Sequence, residues 1–259
     1  MALITIFGVA TIVFVAMRLV PGGFAAALLG PNAVQQPEVV AAIEEKYGLD
    51  QPVFVQYTLW LGNALRGDLG ESLRTHSSVT SEIVRRSLIT IELTLLATLM
   101  SLVIGIPAGV IAAIRRNSVA DITTRTVSLV GLSIPDFVLG TILIYVVSTR
   151  HIGLPISGYI SPSDGVIDHL RSMVLPTFTL GLITTSVVMR VIRSSVVEVL
   201  GEPYVITARA KGLHPRDLAL RHVVRAALIP TVTIVVINMG YLLGGAVIVE
   251  ELFSLPGLG

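Results

Sequence analysis

Apolar residues occur along the chain in long continuous runs, each close to the length that a bilayer-crossing helix needs. None of the runs shows the in-out alternation of a membrane barrel strand, and in lipid a helix satisfies its backbone polar groups within the segment. The pattern therefore predicts an all-α protein, a polytopic membrane helical bundle with five spans. The runs are Ala2–Val20, Leu88–Ile114, Val127–Val147, Met173–Met189 and Leu228–Val249.

The composition agrees with a membrane location. Hydrophobic residues make up 53% of the 259 residues and charged residues 14%, and the mean hydropathy is +0.83. The formal net charge of +1 offers no electrostatic case for nucleic acid, and the absence of cysteine excludes disulfides and thiolate sites. Residues 1–20 lack a basic leader and span about 28 Å as a helix, which favours a first transmembrane helix over a cleaved signal peptide.

Basic residues are distributed unevenly between the runs, and this sets the predicted orientation. The loop at 190–226 is rich in arginine and lysine, and the short turn at 114–126 is also basic, so both are predicted to be cytoplasmic. Because successive spans cross the membrane in opposite directions, the N-terminus is then predicted to be cytoplasmic. The connection at 21–87 and the loop at 148–172 are predicted to be extracytoplasmic.

The connection at 21–87 is too polar to be a span, yet it carries helix signals. One helical stretch is predicted between Pro37 and Gly48, and a second from Pro52 to about Leu65. An apolar stripe on the second predicts packing on the membrane surface or on neighbouring spans, with its aromatic residues near the headgroups. The sequence leaves open whether the connection packs as a lid or contacts solute. The stripe consists of Phe54, Tyr57, Leu61 and Leu65.

Helix breakers delimit one short segment of the basic loop. Gly201 ends the extension of the fourth span, Pro203 stands at a first helical position and Gly212 follows the last one, so residues 203–211 predict a separate helix of about 13 Å. Its small and cationic side chains suit close approach to a partner protein with carboxylates. The alternative is that these charges only set topology, but topology requires no helix breakers on both sides. A further helix is predicted from Pro215 to Ile229, with a kink or break at Pro230.

Three separated blocks carry a family resemblance. The first is YVITARAKGL at 204–213, followed by RHVVRAALIP at 221–230. The second consists of LDQP at 49–52, QY at 56–57, WL at 60–61 and GDLGES at 67–72. The third is Glu250 with Phe253 and PGLG at 256–259. In this order, over nearly the whole chain, they resemble the dipeptide/oligopeptide/nickel type of binding-protein-dependent ABC importer permease, in its first permease subunit, and the first block resembles the EAA loop.

The resemblance implies a type I ABC importer transmembrane domain at 88–259, after the first helix at 1–20 and the connection at 21–87. It implies a bacterial inner-membrane location and a heterodimer with a paralogous second permease subunit. It also implies two cytoplasmic ATPase subunits, which hold the ATP and magnesium, and an extracytoplasmic solute-binding protein. This chain would then be a transport subunit without cofactors of its own. The implied ATPase-docking residues are Tyr204, Thr207, Ala208, Arg209, Ala210, Lys211 and Gly212.

Some positions depart from the family pattern. Ile206 stands where the general EAA pattern has Glu, although the peptide branch commonly lacks it, and the family's Leu-Pro falls at Val224-Arg225. After the first span, residues 21–24 read PGGF instead of the usual PGDP. Members also have a short basic N-terminus and a sixth span, and neither lies within 1–259, so the C-terminal span is expected to be missing from this sequence.

Enzyme chemistry finds little support in the sequence. A P-loop requires Gly-Lys, whereas Lys46 and Lys211, the two lysines, follow Glu45 and Ala210, so ATP hydrolysis is assigned to a partner. The Gly-Leu-Ser at 131–133 superficially suggests an intramembrane serine protease, but no predicted span contains a histidine to act as base. The histidines are scattered outside the predicted spans and form no His-Glu-x-x-His motif; they are His76, His151, His169, His214 and His222.

Acidic residues at bilayer depth are candidates for function, because such a charge costs at least ~2.5 kcal/mol unless it is paired, hydrated or protonated. Asp136 follows Pro135 near the middle of the third predicted span, where it either makes a local hydrogen bond at a kink or lines a watery solute path. Glu250 ends the fifth span, as a residue of the outer gate or as a simple boundary charge. Glu92 is predicted to reach the interface.

The sequence therefore predicts a permease subunit that moves peptides or similar solutes, driven by ATPases docked on residues 203–212. The alternative is a secondary transporter driven by an ion gradient. That class predicts an inverted repeat and paired intramembrane ionisable residues, and the sequence shows neither. Peptide, nickel chelate, glutathione-like and sugar-derived solutes all remain compatible with the resemblance.

Overall fold

The computed structural model describes residues 1–19, 48–72, 75–214 and 217–259, together with Glu38, Ala41 and Glu45. Within these residues the regular elements are helical, apart from an isolated antiparallel bridge between Glu71 and Ser78. The predicted all-α class is confirmed. The predicted helix between Pro37 and Gly48 and the predicted helix start at Pro215 lie largely outside the described residues.

The described helices are joined by short connections. A π-helical turn at Ser101–Gly105 joins the helices Val79–Met100 and Ile106–Ile114, and a second at Leu218–Val223 leads into the helix Val224–Leu252. The chain forms two compact units, Met1–Val84 and Arg85–Gly259. In chain order the helices are α1 (Ala2–Arg18), α2 (Val53–Leu65), α3 (Val79–Met100), α4 (Ile106–Ile114), α5 (Val119–Ser133), α6 (Asp136–Arg150), α7 (Val166–Leu200), α8 (Pro203–Ala210) and α9 (Val224–Leu252).

Three continuous helices are long and apolar enough to cross a membrane: Val79–Ile114, Val166–Leu200 and Leu218–Leu252. They contain the second, fourth and fifth predicted spans. The pair α5 and α6 would make a fourth crossing if it is counted as one bent span. The first predicted span is an apolar helix of 17 residues, α1, and its crossing of the membrane stays a prediction.

The third predicted span is not a continuous helix. The helices α5 and α6 meet at an angle of 103°, and the break falls at Ile134 and Pro135. Ile134 is extended, with φ −93° and ψ 118°, because a following proline disfavours the helical conformation of the residue before it. The predicted kink at Pro135 is thus a sharp break between two helices, and a single crossing by Val127–Val147 stays a prediction.

At Pro230, where a kink or a break was predicted, a break does not occur, and a kink stays a prediction. Helix α9 continues through Pro230, with its fully buried neighbours Ala227 and Thr231 on either side. Their packing compensates for the backbone hydrogen bond that the proline cannot donate. The irregular backbone lies earlier, in the π-helical turn at Leu218–Val223.

Aromatic packing joins α1 and α2 in the first unit. The buried Phe14 contacts Tyr57 and Trp60, with ring centroids 5.1 and 5.4 Å away, and the hydroxyls of Thr11 and Tyr57 are 2.7 Å apart. The apolar stripe on α2 therefore lies partly on the first apolar helix, as one of the predictions had it. Two of its members, Phe54 and Leu65, remain largely exposed.

In the second unit, α7 is the central helix, and α4, α5, α6 and α9 pack on it. A cluster of buried apolar residues lies toward each end of α7. The first cluster includes Met173 and Leu180 of α7 with Leu93, Val249 and Phe253. The second cluster consists of Ala113, Ile192, Val196, Val205, Leu218, Val223 and Ala227.

Close helix packing in this unit depends on glycine. A Cβ atom at Gly109 in α4 would clash with the side chain of Ile192 and the backbone carbonyl of Met189 in α7. A Cβ at Gly181 in α7 would likewise approach the backbone of Ala97 in α3. Small residues at such crossings let helix backbones come together in a membrane, where packing replaces the hydrophobic driving force.

We expect Gly109→Ala to lower the free energy of unfolding by roughly 1–3 kcal/mol, because the Met189 carbonyl cannot give way without moving α7. Gly240→Ala is the matched control, since Gly240 is also helical and a Cβ there would meet nothing within 4 Å. Thermal unfolding in detergent should give a lower midpoint for Gly109→Ala alone. Equal midpoints for the two variants would contradict the packing argument.

Candidate functional site

The short helix α8 has the ends that the sequence predicts, to within one residue. Pro203 is its first residue and Ala210 its last. Gly212 follows with φ +82°, and the N–H groups of Gly212 and Leu213 donate to the carbonyls of Arg209 and Ala208 over 3.0 and 3.3 Å. Glycine suits this position because the left-handed conformation is costly for residues with a Cβ.

One side of α8 is fixed on the bundle and the other is open. Val205 is buried in the second cluster, and Ala208 is half-buried against it. Ala208, which was predicted to contact an ATPase, thus also packs against the second cluster and helps to hold α8 on the bundle. The remaining predicted docking residues are exposed, and we call them the docking face: Tyr204, Thr207, Arg209, Ala210, Lys211 and Gly212.

Val205 connects α8 to the two longest helices of the second unit. Its side chain belongs to one cluster with Ile192 and Val196 of α7 and with Leu218 and Val223 of the turn that leads into α9. Helices α7 and α9 extend from this cluster to the opposite end of the unit. Since packed interiors are stiff, a displacement of α8 would be passed to both helices.

A buried ion pair joins α5 to α7 near the second cluster. The fully buried carboxylate of Asp121 accepts two hydrogen bonds from the Arg193 guanidinium, at 2.6 and 3.0 Å, and one from the backbone N–H of Asn117 at 3.0 Å. Arg125 lies 3.3 Å from the same carboxylate. From the sequence, these arginines indicate only the orientation of the chain, because Asp121 and Arg193 are 72 residues apart and no local pattern signals their ion pair.

A second polar group lies near the first cluster. The His169 Nε2 atom is 2.6 Å from Glu92 Oε1, its Nδ1 atom is 2.7 Å from the Ile160 carbonyl oxygen, and the Tyr159 hydroxyl donates to Glu92 Oε2 over 3.3 Å. Burial, and then the charge of Glu92, raise the pKa of Tyr159, which keeps its hydroxyl a donor.

This group bears on two predictions. His169 lies within α7, the helix that contains the fourth predicted span, because α7 begins at Val166 instead of Met173. Glu92 bonds to that histidine with 31% of its side chain still exposed, and its predicted reach to the membrane interface stays a prediction. The earlier start of α7 is what brings the two side chains together.

We expect Glu92→Ala to loosen the loop between α6 and α7, because it leaves His169 Nε2 and the Tyr159 hydroxyl without their hydrogen-bond partner. Glu92→Gln is the matched control, since an amide can donate to the imidazole and accept from the phenol. The alanine variant should lose about 1–2 kcal/mol locally, seen as roughly five- to thirtyfold faster amide hydrogen exchange at residues 158–169. Unchanged exchange in Glu92→Ala would contradict this role.

Glu250 is enclosed at the end of α9, with 1% of its surface exposed. Its carboxylate accepts from the Thr90 hydroxyl at 2.5 Å and from the Gly259 N–H at 2.8 Å. A Cβ at Gly257 would clash with this carboxylate, so glycine is required there. Burial does not fit the alternative of a simple boundary charge, while a role of Glu250 at a gate stays a prediction.

Asp136 occupies the first position of α6. Its carboxylate accepts from the N–H of Phe137 over 2.8 Å, and a negative charge is favourable at a helix N-terminus. This is the local hydrogen bond that the sequence left open as one of two alternatives. A place for Pro135 and Asp136 on a solute path stays a prediction.

Metal-binding side chains do not gather in the part of the chain that the structure describes. There, no group of three or more His, Asp or Glu residues could hold a metal ion.

Comparison with known proteins covers nearly the whole chain. Residues 105–259 match the family described as "Binding-protein-dependent transport system inner membrane component". Residues 1–94 match the family described as "Binding-prot-dependent transport system membrane comp, N-term".

Three bacterial permeases are similar to the chain over almost its full length. A probable peptide ABC transporter permease protein of Sinorhizobium fredii is 38% identical over 259 residues, which cover 100% of this chain and 80% of the relative. A di/tripeptide transport system permease protein of Pseudomonas aeruginosa is 40% identical over 275 residues, 98% of this chain and 82% of the relative. A glutathione transport system permease protein of Escherichia coli is 38% identical over 255 residues, which cover 98% of this chain and 80% of the relative.

Proposed function

Because the chain belongs to the family of inner membrane components of binding-protein-dependent transport systems, we propose that it is one half of the solute path in an ATP-driven peptide importer. Membership confirms the resemblance seen in the sequence and makes the chain a permease component of an importer. No finding favours the ion-coupled alternative. The observation that carries the proposal is the docking face of α8, exposed on one side and anchored through Val205 on the other.

ATP hydrolysis is assigned to two cytoplasmic ATPase subunits. One of them receives the docking face, where exposed Arg209 and Lys211 suit carboxylates and Ala210 and Gly212 permit close approach. Closure of the ATPase pair would push α8 and, through Val205, shift α7 and α9. This chain thus converts the movement into a change of access without chemistry of its own.

A second, paralogous permease subunit is proposed to complete the path. Large apolar side chains are exposed on α9, among them Val232, Val236 and Tyr241. Lipid or the second subunit would cover these apolar side chains. A solute path that lies between two subunits needs no large cavity within either subunit.

Peptides are the proposed substrates. Two of the relatives are named for transport of peptides or of di- and tripeptides, and a third for transport of glutathione, itself a tripeptide. An extracytoplasmic binding protein would deliver the solute. The positive residues of the loop at 190–226 support a cytoplasmic position for that loop and for the N-terminus.

Reconstitution into proteoliposomes tests the proposal. The chain, its companion permease, the ATPases and the binding protein would be supplied with a labelled dipeptide and ATP on the ATPase side. We expect accumulation that needs ATP and the binding protein together. Accumulation driven by an ion gradient without ATP would favour the alternative, and no accumulation of any di- or tripeptide would remove the peptide assignment.

A further inference from the structure

A cleft between α5 and α7 combines positive charge with an apolar wall. Its volume is about 190 Å³, and three arginines are among the residues that line it: Arg125, Arg190 and Arg193. Its wall is formed mainly by Leu129, Leu132 and Met189. No step of the proposed transport cycle uses this cleft.

The arginines carry more positive charge than the neighbouring acid neutralises. Among the described residues, the ion pairs of Arg125 and Arg193 both go to one carboxylate, that of Asp121, and Arg190 is exposed with no ion pair. Two guanidinium groups thus share one carboxylate, and the exposed Arg190 adds a third positive charge to the lining of the cleft. The bidentate bond to Asp121 also fixes Arg193 in this lining, so part of the site is held in place before any ligand binds.

The chemistry of the cleft changes along its length. The two helices run in opposite directions here, since Asp121 lies beside Arg193 and Ser128 beside Met189. Along α5, the residues that line the cleft change from the charged Arg125 to the apolar Leu132 over about 10 Å. A phospholipid makes the same change from its phosphate to its acyl chains.

We propose that this cleft binds an anionic phospholipid, with the headgroup phosphate on Arg125 and Arg190 and the start of an acyl chain along Leu129 and Leu132. Basic pockets between transmembrane helices bind anionic headgroups because the net negative charge of the headgroup is attracted to the basic side chains. A zwitterionic lipid has no net charge and is attracted less. The occupant is a lipid and not a free phosphate, because a small ion would leave the apolar wall uncovered. The lipid would brace α5 against α7 beside the second cluster.

Photocrosslinking of the assembled importer in phosphatidylcholine nanodiscs tests this inference. A photoactivatable phosphatidylglycerol is expected to label peptides from residues 119–133 and 186–200 in preference to a photoactivatable phosphatidylcholine. Each arginine removed should lower labelling about fivefold, so Arg190→Gln should lose about fivefold and the double variant Arg125→Gln, Arg190→Gln roughly 25-fold. Arg116→Gln is the matched control, because it removes an exposed arginine near the same end that does not line the cleft.

Several results would overturn the inference. Equal labelling of Arg190→Gln and Arg116→Gln would show that these charges do not hold the lipid. Loss of labelling on addition of inorganic phosphate would identify a site for free phosphate. Crosslinks from the cleft to the companion permease, in place of lipid, would show that protein covers it. Since Arg190 has no described ion pair, its substitution is not expected to prevent folding.

Discussion

Replacing Glu250 with alanine is expected to lower the free energy of unfolding by about 3–5 kcal/mol, because two hydrogen bonds to a buried carboxylate are lost together. The Thr90 hydroxyl and the Gly259 N–H would be left without their acceptor. The segment at 255–259, which folds around the carboxylate, should lose its protection from hydrogen exchange. Unfolding in mixed micelles, followed by far-UV circular dichroism, measures the first effect, and hydrogen exchange measures the second.

Glu251→Ala is the matched control for this prediction. Glu251 is the next residue of α9 and carries the same charge, but its side chain is exposed. The two variants therefore differ in burial and hydrogen bonding while the change in formal charge is the same. If Glu250→Ala and Glu251→Ala unfold alike, the enclosed carboxylate does not organise this end of the bundle.

The variant Ala210→Trp is expected to uncouple transport by weakening ATPase binding at least about thirtyfold, the effect of losing one central interface contact. Ala210 is the better position for this test because it is exposed, whereas a bulky residue at the half-buried Ala208 would also disturb the second cluster. Copurification of the ATPase and solute-stimulated ATP turnover should both fall. The chain itself should remain folded, with an unchanged thermal midpoint.

Val119→Trp serves as the control for added bulk. Val119 is exposed at the start of α5 and lies outside the docking face. It should leave copurification and ATP turnover close to the parent values. Normal copurification and normal solute-stimulated turnover in Ala210→Trp would remove the docking face from the coupling mechanism.

Features set by neighbouring residues were predictable from the sequence. The start of α2 after Pro52, the end of α7 at Gly201, and the short helix from Pro203 to the turn at Gly212 all follow from how proline and glycine restrict the backbone. The helices at the second, fourth and fifth predicted spans were predictable from long apolar runs, because the thickness of the bilayer sets the minimum length of such a run.

Features set by tertiary packing were not predictable. Pro135 and Pro230 are alike as sequence signals, yet the chain turns by 103° at the first and continues as a helix through the second, where buried neighbours hold it. The bonds of Glu92 to His169 and of Asp121 to Arg193 join residues 77 and 72 positions apart. No local pattern distinguishes these side chains from ordinary loop or boundary charges.

The docking face could be predicted from the sequence only in part. Spacing and side-chain size indicated a helix that suits a partner, but only the structure separates the anchoring side, Val205 and Ala208, from the open side. Helical periodicity over eight residues gives too few turns to assign the two sides reliably. The assignment decides which substitutions probe coupling and which probe folding.

Site-directed crosslinking at Ala210 tests the coupling role of this chain most directly. The sequence contains no cysteine, so Ala210→Cys and the control Ser163→Cys, in the exposed loop between α6 and α7, each introduce a single thiol into it. In the assembled importer, Ala210→Cys is predicted to crosslink to the ATPase subunit with a yield that changes on adding nucleotide, and Ser163→Cys is not. Labelling of Ala210→Cys by a membrane-impermeant thiol reagent outside intact cells, with no ATPase adduct, would contradict the account.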